Sequence, residues 1–385
     1  MTNAPTNVPS NAVDLDFRDA TKRYGSTTVV NGLNPHVPAG SICVLVGPSG
    51  CGKTTSLRMV NRLVEPTGGQ ILVGGKDVMS QDPIELRRGI GYVIQQVGLL
   101  PHLTVAANVG VVPRLLGWER GRIDERVDEL LALVGLDAGR YRDRYPSELS
   151  GGERQRIGVA RALAADPPLM LMDEPFGAVD PIVREHLQNE LLALQERIAK
   201  TIVLVTHDID EAIKMGDLVA VMEVGGVLAQ FAPPAEILAN PASDFVARFV
   251  GADRGLKRLA LRRVEELELK PVATARIGAD WATRPAPAAD DFPYVLAVDD
   301  SDRPLGWLQV TDLPSGGSIS ADMTSPAAPL LTLRTTLKDA LAQMLDEDMM
   351  AGIVVDGRRR VLGIVTVDQI AGALRDSGLA NPAAA

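Results

Sequence analysis

A glycine-rich loop between a strand and a helix constrains this chain more than any other stretch. Residues 47–55 read G-P-S-G-C-G-K-T-T and fit the pattern G-x-x-x-x-G-K-[ST] through Thr54. The loop follows the apolar run 41–46, which is typical of a strand, and precedes a segment with apolar residues at helical spacing. In that context the loop N–H groups and the positive end of the helix bind phosphate. An ordinary glycine-rich turn is the alternative, and the strand–loop–helix order argues against it.

The loop predicts a nucleotide site with a magnesium ion. Lys53 is placed to reach the β- and γ-phosphates, and the Thr54 hydroxyl is placed to bind Mg2+. The loop residues expected to contact the nucleotide are Gly47, Pro48, Ser49, Gly50, Cys51, Gly52, Lys53, Thr54 and Thr55.

Composition limits the classes of protein that can carry this loop. The chain has 385 residues, enough for two or three domains, and 46% are hydrophobic and 23% charged. A net charge of −10 argues against a dedicated nucleic-acid binder. The two cysteines, Cys43 and Cys51, indicate no disulfide framework. No apolar stretch is long enough to span a bilayer and the N-terminus does not read as a signal peptide, so we expect membrane association through a partner.

Polar residues stand at the ends of two predicted strands. Residues 169–172 are apolar and predict a buried strand, after which Asp173 and Glu174 can lie near a metal ion and a γ-phosphate. A carboxylate pair that caps the next turn is the alternative. His207 follows the strand-like run 201–206. It can contact a γ-phosphate there, and a purely structural role is the alternative.

Three other features fit a nucleotide site but are open to simpler interpretations. Gln95 ends a short strand and enters a loop, where it can contact Mg2+ or water or be only a polar loop residue. Ser150, Gly151 and Gly152 precede a helical run and suit a second phosphate-binding helix N-terminus. Tyr24 can stack on a purine ring, although position alone favours a half-buried strand tyrosine.

In this order and at this spacing, the motifs resemble the ATP-binding cassette of ABC transporters. The resemblance covers residues 13–251 and implies an α/β P-loop NTPase with a RecA-like core, a helical subdomain and an antiparallel β subdomain. In chain order it assigns an adenine-stacking Tyr24, Walker A at 47–54, the Q-loop Gln95, the signature motif at 149–156, Walker B at 169–174, the D-loop at 177–180 and the switch His207. The D-loop reads G-A-V-D where S-A-L-D is frequent, which leaves Asp180 in place.

The family resemblance also implies a head-to-tail homodimer that binds ATP and Mg2+ at its interface. Each ATP would lie between the glycine-rich loop of one subunit and the signature motif of the other. The residues implied for nucleotide binding beyond the loop are Tyr24, Ser150, Gly151, Gly152 and Asp180. The catalytic residues implied are Glu174, His207, Gln95 and Lys53. The Mg2+ ligands implied are Thr54, Gln95 and Asp173.

The rest of the chain resembles one subgroup, the importers of quaternary amines such as glycine betaine, choline, carnitine and proline betaine. The run 90–105 is similar to theirs, residues 330–374 look like a CBS module, and residues 256–313 look like a weaker copy. Tandem CBS modules are typical of that subgroup. The predicted bounds are a disordered tail at 1–12, the ATP-binding domain at 13–251, CBS domains at 256–313 and 322–376, and a flexible tail at 377–385.

The CBS pair leaves its ligand open. Such pairs often hold adenine nucleotides through a Thr or Ser and an Asp three residues later. The second copy has Thr366 but Gln369 at the third position, and the first has Asp312 but Gln309 in place of the hydroxyl residue. An adenine nucleotide and no ligand therefore remain alternatives. The arginine run 358–360 suggests a contact with anionic lipid, and an ordinary solvated turn is the alternative.

We expect an ATPase subunit of an osmoprotectant importer at the cytoplasmic face of the membrane. The expected partners are a second copy, two permease subunits and an extracytoplasmic solute-binding protein, with no nucleic acid. An importer of another small solute, a non-transport ABC ATPase and a nucleotide sensor built on the CBS pair are the alternatives. About a hundred residues without sustained heptads separate Walker A from the signature motif, which argues against the coiled-coil DNA-repair type. The ribosome type has two cassettes, and this chain has one.

Overall fold

The structure is a computed structural model that describes residues 11–94, 98–177, 180–280, 294–309 and 318–376. The chain divides into two compact units, Met1–Gly251 and Ala252–Ala385. Within the described ranges, no helix is both long and apolar enough to cross a membrane.

Short strands build two sheets in the first unit. In chain order they are β1 (Leu15–Tyr24), β2 (Thr27–Leu33), β3 (His36–Val37), β4 (Ile42–Val46), β5 (Gly68–Val73), β6 (Lys76–Asp77), β7 (Ile90–Val93), β8 (Leu169–Asp173), β9 (Thr201–Thr206), β10 (Leu218–Glu223) and β11 (Val227–Ala232). The antiparallel sheet has the order β2-β1-β5-β6, with β3 beside β1. The larger sheet has the order β11-β10-β4-β9-β8-β7, in which β7 to β10 run parallel to β4 and β11 runs antiparallel.

The larger sheet is the core of the first unit because its strands are apolar on both faces. Every residue of β4, β8 and β9 is buried, as expected for parallel strands covered on both sides. Val46 pairs with Thr206, and Asp173 pairs with Val205. Since parallel strands end at the same edge of a sheet, the segments that follow β4, β8 and β9 meet there.

Helices cover the larger sheet and form a separate helical region between β7 and β8. They are α1 (Lys53–Val60), α2 (Pro83–Arg88), α3 (Val105–Val109), α4 (Val111–Leu115), α5 (Arg120–Leu133), α6 (Ala138–Tyr141), α7 (Gly151–Leu163), α8 (Pro181–Ile198), α9 (Ile209–Met215), α10 (Pro234–Ala239) and α11 (Asp244–Val250). The longest helix of this region, α5, buries Ile123, Val127, Leu130 and Leu131, which lie on one face at helical spacing. The predicted N-terminal tail extends to Ala12, yet Asn11 already donates to the Asp166 carbonyl and accepts from Lys200.

The second unit contains two sheets and three helices within the described ranges. Its elements are α12 (Arg254–Leu261), β12 (Thr274–Arg276), β13 (Tyr294–Val298), β14 (Pro304–Gln309), β15 (Ser325–Pro326), β16 (Leu330–Thr332), α13 (Leu337–Asp346), β17 (Ala351–Val355), β18 (Val361–Thr366) and α14 (Val367–Asp376). Strand β13 pairs parallel with β12 and antiparallel with β14, and β17 pairs parallel with β16 and antiparallel with β18. The two halves therefore repeat one strand topology.

The turns of the two halves repeat at the level of single hydrogen bonds. Asp299 Oδ1 accepts from the N–H groups of Ser301 and Arg303 at 2.8 and 2.9 Å. Asp356 Oδ1 accepts from those of Arg358 and Arg360, both at 2.8 Å. In both turns the bond from the arginine N–H is the largest cause that lowers the pKa of the aspartate. This match supports an internal repeat that was faint in the sequence.

The segment that opens the predicted first copy packs into the core of the second. Leu259 of α12 and Val264 share a buried cluster with Leu337 and Ile370. The Lys270 N–H also donates to the Ile364 carbonyl at 3.0 Å, and the Ile364 N–H donates back at 2.9 Å. Residues 259–270, which were predicted as part of the first copy, therefore pack as part of the second.

Candidate functional site

The glycine-rich loop connects β4 to α1 through backbone conformations that favour glycine. Gly47 and Gly52 have φ values of +155° and +97°. A Cβ atom at Gly47 would lie 2.2 Å from the Met222 carbonyl oxygen, and one at Gly52 would lie 2.4 Å from that of Val29. Both glycines are therefore required by the close approach of neighbouring backbone as well as by their conformation.

Lys53 lies beneath the loop. Its side chain is 6% exposed, and Nζ donates to the carbonyl oxygens of Gly47 and Pro48 at 2.7 and 3.0 Å. Cys51 is fully buried, with Sγ 3.7 Å from the same Nζ. Cys51 can therefore contact a nucleotide only through its backbone, whereas Lys53 brings a positive charge to the loop.

A hydrogen bond links the loop to the end of β8. Thr54 Oγ1 donates to Asp173 Oδ1 at 2.9 Å, and Asp173 is 4% exposed. Arg58 NH2 lies 3.6 Å from Asp173 Oδ2. Arg58 was missed in the sequence, although it follows Thr54 by four residues and so lies on the same helix face. A hydroxyl beside a carboxylate is a donor pair that suits Mg2+, which takes few protein ligands and completes its shell with phosphates and water.

Glu174 and His207 face each other at the ends of neighbouring strands. The distance from His207 Nδ1 to Glu174 Oε2 is 3.4 Å. The Glu174 N–H donates to the Val205 carbonyl at 3.0 Å, and Glu174 has a positive φ of +45°, a conformation that is uncommon outside glycine. Such a backbone, held by the adjacent strand, turns the carboxylate out of the sheet towards the loop.

A cavity of about 250 Å³ brings these groups together. Its lining consists of Val29, Ser49, Gly50, Gly52, Lys53, Thr54, Thr55 and Glu174. Tyr24, predicted to stack on adenine, is 51% exposed, and Lys22 Nζ lies 4.8 Å from its ring centroid. Exposure of the ring makes it available to a base, in contrast to the half-buried tyrosine that position alone favours.

The predicted residues of the signature motif and the D-loop do not line this cavity. Ser150 is the N-cap of α7, with Oγ accepting from the Glu153 N–H at 3.3 Å while Glu153 Oε2 accepts from the Ser150 N–H at 2.7 Å. Gly151 is exposed and Gly152 partly so. Asp180 is the exposed N-cap of α8, accepting from the Val183 N–H at 3.0 Å. The predicted Q-loop residue Gln95 lies outside the described residues.

Glu153 is a carboxylate within the signature motif. It accepts a hydrogen bond of 2.6 Å from the Tyr141 hydroxyl, which is the largest cause that lowers the pKa of Glu153. The capping box and this bond fix the N-terminus of α7, so its first N–H groups are presented by a rigid turn.

In the CBS-like unit, Thr366 is hydrogen-bonded to Gln369, the residue that stands where nucleotide-binding CBS modules have an aspartate. Gln369 Oε1 accepts from the Thr366 N–H at 3.0 Å, and the Gln369 N–H donates to Thr366 Oγ1 at 3.3 Å. Gln369 Nε2 donates to the Glu268 carbonyl at 2.7 Å. Gln309 ends β14 with an exposed side chain, and Asp312 lies outside the described residues. Gln369 thus closes the turn at Thr366 with hydrogen bonds to the backbone and side chain of that residue.

Two protein families match this chain. The ABC transporter family matches residues 30–177, and the CBS domain family matches residues 319–376. An osmoprotectant import ATP-binding protein of Salmonella typhimurium is 45% identical over 344 residues, which cover 89% of this chain and 90% of that protein. The chain belongs to the ATP-binding subunits of osmoprotectant ABC importers.

A second relative and a solved structure support the same family. A glycine betaine/carnitine/choline transport ATP-binding protein of Bacillus subtilis is 42% identical over 371 residues, 94% of this chain and 97% of that one. A solved dimer of an ATP-binding cassette in a post-hydrolysis state, bound to ADP and Pi, is 32% identical with a TM-score of 0.51, covering 57% of this chain and 98% of that one. The predicted fold class and family are confirmed, and the ATP-binding subunit is an ATPase whose hydrolysis is coupled to transport.

Proposed function

We propose that this ATPase subunit drives the uptake of quaternary amines of the glycine betaine, choline and carnitine type. The observation that carries the ATPase role is the cavity that joins the glycine-rich loop to Glu174. The solute class is supported by relatives named for these solutes that match this chain over nearly its whole length.

The phosphates of ATP would be held by charges and donors that the fold has already placed. The amides of residues 49–55 and the N-terminus of α1 would offset phosphate charge, with Lys53 beneath them. Thr54 and Asp173 would bind Mg2+, with Gln95 as a further ligand. The ion, when bound, would neutralise charge that develops on the β- and γ-oxygens.

Glu174 would orient the attacking water and take its proton. Its side chain is 23% exposed, so it reaches the cavity while its backbone stays in the sheet. His207 Nδ1 lies 3.4 Å from that carboxylate and would hold it or the γ-phosphate in place. Positioned acid–base groups of this kind contribute roughly 10²–10⁴ in rate.

The second half of the nucleotide site would come from another copy of the chain. Ser150, Gly151 and Gly152 stand at an exposed helix N-terminus, and Asp180 at another, and none of them lines the cavity of its own subunit. A head-to-tail dimer would bring a partner's signature motif to each loop. ATP binding would then close the dimer and hydrolysis would open it.

Two permease subunits and an extracytoplasmic solute-binding protein would complete the importer, with this chain at the cytoplasmic face. The helical region exposes Leu100, Leu115 and Leu116, which is apolar surface available to a permease loop. In the CBS-like unit, Arg358 and Arg359 are exposed and could contact anionic lipid. The closed turn of Thr366 and Gln369 weakens the case for an adenine nucleotide.

The test is uptake by the importer reconstituted in vesicles. The permease and binding protein encoded beside this chain would be assembled with it, and ATP-dependent uptake of labelled glycine betaine, choline and carnitine measured. A Lys53→Ala importer is the control for hydrolysis. Uptake of none of the three, with another small solute transported instead, would reject the quaternary-amine assignment and leave the ATPase intact.

A further inference from the structure

A buried carboxylate lies directly behind the His207 turn. Glu211, on α9, is 8% exposed, and its Oε2 accepts a hydrogen bond of 2.5 Å from Thr206 Oγ1. Burial raises the pKa of Glu211, so the site stabilises the charged form less than water does. A carboxyl group buried in this way requires a structural or functional reason, and neither phosphate binding nor proton transfer as proposed above uses it.

The Thr206 hydroxyl ties together both sides of His207. Besides donating to Glu211, it accepts from the Asp208 N–H at 3.1 Å. Asp208 Oδ1 in turn accepts from the N–H groups of Asp210 and Glu211 at 2.9 and 3.3 Å, which caps α9. His207 stands between two residues that share one hydroxyl group, so the direction of its ring depends on that hydroxyl and on the carboxylate that holds it.

Helix α8 supplies the other groups that face Glu211. The Arg184 guanidinium and the Gln188 amide favour its carboxylate form, and Asp208 opposes it. Arg184 and Gln188 lie about one and two turns after Asp180, the residue that caps α8. Glu211 is therefore hydrogen-bonded to the histidine turn through Thr206, and its helix α9 lies beside α8, where Lys214 Nζ is 3.8 Å from Glu185 Oε1.

We infer that Glu211 is a positioning residue that fixes the His207 turn against α8. The imidazole then meets Glu174 at its proper angle only when α8, and with it Asp180, is in place. The inference rests on the proposed role of His207 beside Glu174. Because Glu211 does not line the nucleotide cavity, its loss should change turnover and leave ATP affinity unchanged.

The experiment compares the ATPase kinetics of variants with a hydroxyl or a methyl group at position 206, in the full chain assembled with its permease. Thr206→Val keeps the shape of the side chain and removes the donor. We expect kcat to fall by up to about a hundredfold with the KM for ATP nearly unchanged, since a misplacement of about 1 Å can cost that much. Thr206→Ser keeps the donor and should restore kcat. If Thr206→Val fails to fold, Glu211→Gln and Glu211→Asp replace it: Gln keeps length and an acceptor and should retain turnover, whereas Asp should lose it.

A matched control lies on the same pair of helices. Glu185 of α8 is 73% exposed and 3.8 Å from Lys214 of α9. Glu185→Ala therefore makes the same substitution as Glu211→Ala without touching the turn, and it should leave kcat unchanged. The losses in Thr206→Val and Glu211→Ala should not add, because both remove one hydrogen bond.

Three outcomes overturn the inference. They are a Thr206→Ser variant as slow as Thr206→Val, fully additive losses, and variants with a lower Tm but normal kcat. His207→Ala separates this inference from the proposed function: normal turnover there removes His207 from catalysis and the inference with it. An inactive His207→Ala beside a normal Thr206→Val rejects the role of Glu211 alone.

Discussion

The Thr54 hydroxyl donates a 2.9 Å hydrogen bond to Asp173 Oδ1, and this single contact joins the helix after the glycine-rich loop to the strand that ends in two carboxylates. Residues 119 positions apart in the chain thereby share one expected Mg2+ site. Asp173→Asn should preserve the bond from Thr54 through the amide oxygen and remove the negative charge. We expect the apparent affinity for Mg2+ in ATP hydrolysis to fall at least about tenfold.

A Mg2+ titration of the ATPase rate measures this change. Asp346→Asn, the same substitution on an exposed part of α13, is the control and should titrate like the parent. Equal Mg2+ affinity in both variants would contradict a metal role for Asp173.

Glu174→Gln should separate binding from hydrolysis. The amide keeps the size of the side chain but cannot take a proton from water, so we expect turnover to fall by about 10²–10⁴, or roughly 3–5 kcal/mol of barrier. ATP should still bind, and a dimer should persist with ATP. Turnover near that of the parent chain would show that another group is the base.

The composite site predicts complementation between two inactive chains. Lys53→Ala disables the loop, and Ser150→Arg places a bulky charge at the exposed N-terminus of α7. When the two proteins are mixed with ATP, one intact site per mixed dimer should form, and tagged heterodimers can be counted by pull-down. Neither protein alone should dimerise to the same extent. If each substitution acted only within its own subunit, mixing would recover nothing.

Glu211→Gln should change how stability depends on pH. The pKa of Glu211 is raised by burial above its ordinary value of 4.5. Below that value the carboxyl is protonated in both states and its stabilising contribution is complete; as pH rises through the raised pKa, the folded chain must ionise a buried group and the contribution is lost. Glutamine does not titrate, so the Tm of the variant minus that of the parent should rise with pH. Glu185→Gln, the same substitution at an exposed position of α8, is the matched control.

The arginine turn predicts a salt-dependent lipid contact carried by two residues. Arg360 is bound to Asp356 at 2.9 Å, whereas the side chains of Arg358 and Arg359 have no ion pair among the described residues. At about 1 kcal/mol each near an anionic leaflet, they would contribute roughly 2 kcal/mol, and salt would screen it. The contact would restrain the ATPase at low salt and release it when salt rises. The importer with Arg358→Gln and Arg359→Gln lacks the contact, so it should be active at lower salt in anionic vesicles. An unchanged salt threshold would reduce these residues to a solvated turn.

Local motifs and strand ends were readable because their chemistry is contained in a few consecutive residues. The glycine-rich loop, the pair Asp173 and Glu174, and His207 each follow a short apolar run that was predicted as a strand and is a buried strand in the structure. The structure brings these segments together because β4, β8 and β9 are parallel and end at one edge of the sheet. The residues that hold these groups in place, Arg58, Thr206 and Glu211, were not predicted from the sequence, because they reach the site only through tertiary packing.

The sequence by itself predicted a site for a phosphate-bearing nucleotide, the residues expected to form that site, and a CBS-like unit after it. Tertiary structure decided what depends on distance rather than order. It placed α12 in the core of the second repeat, closed Gln369 over Thr366 and paired Arg360 with Asp356. These contacts form because apolar surfaces from distant parts of the chain pack against each other and exclude water. Such packing leaves no pattern in consecutive residues from which it could be predicted.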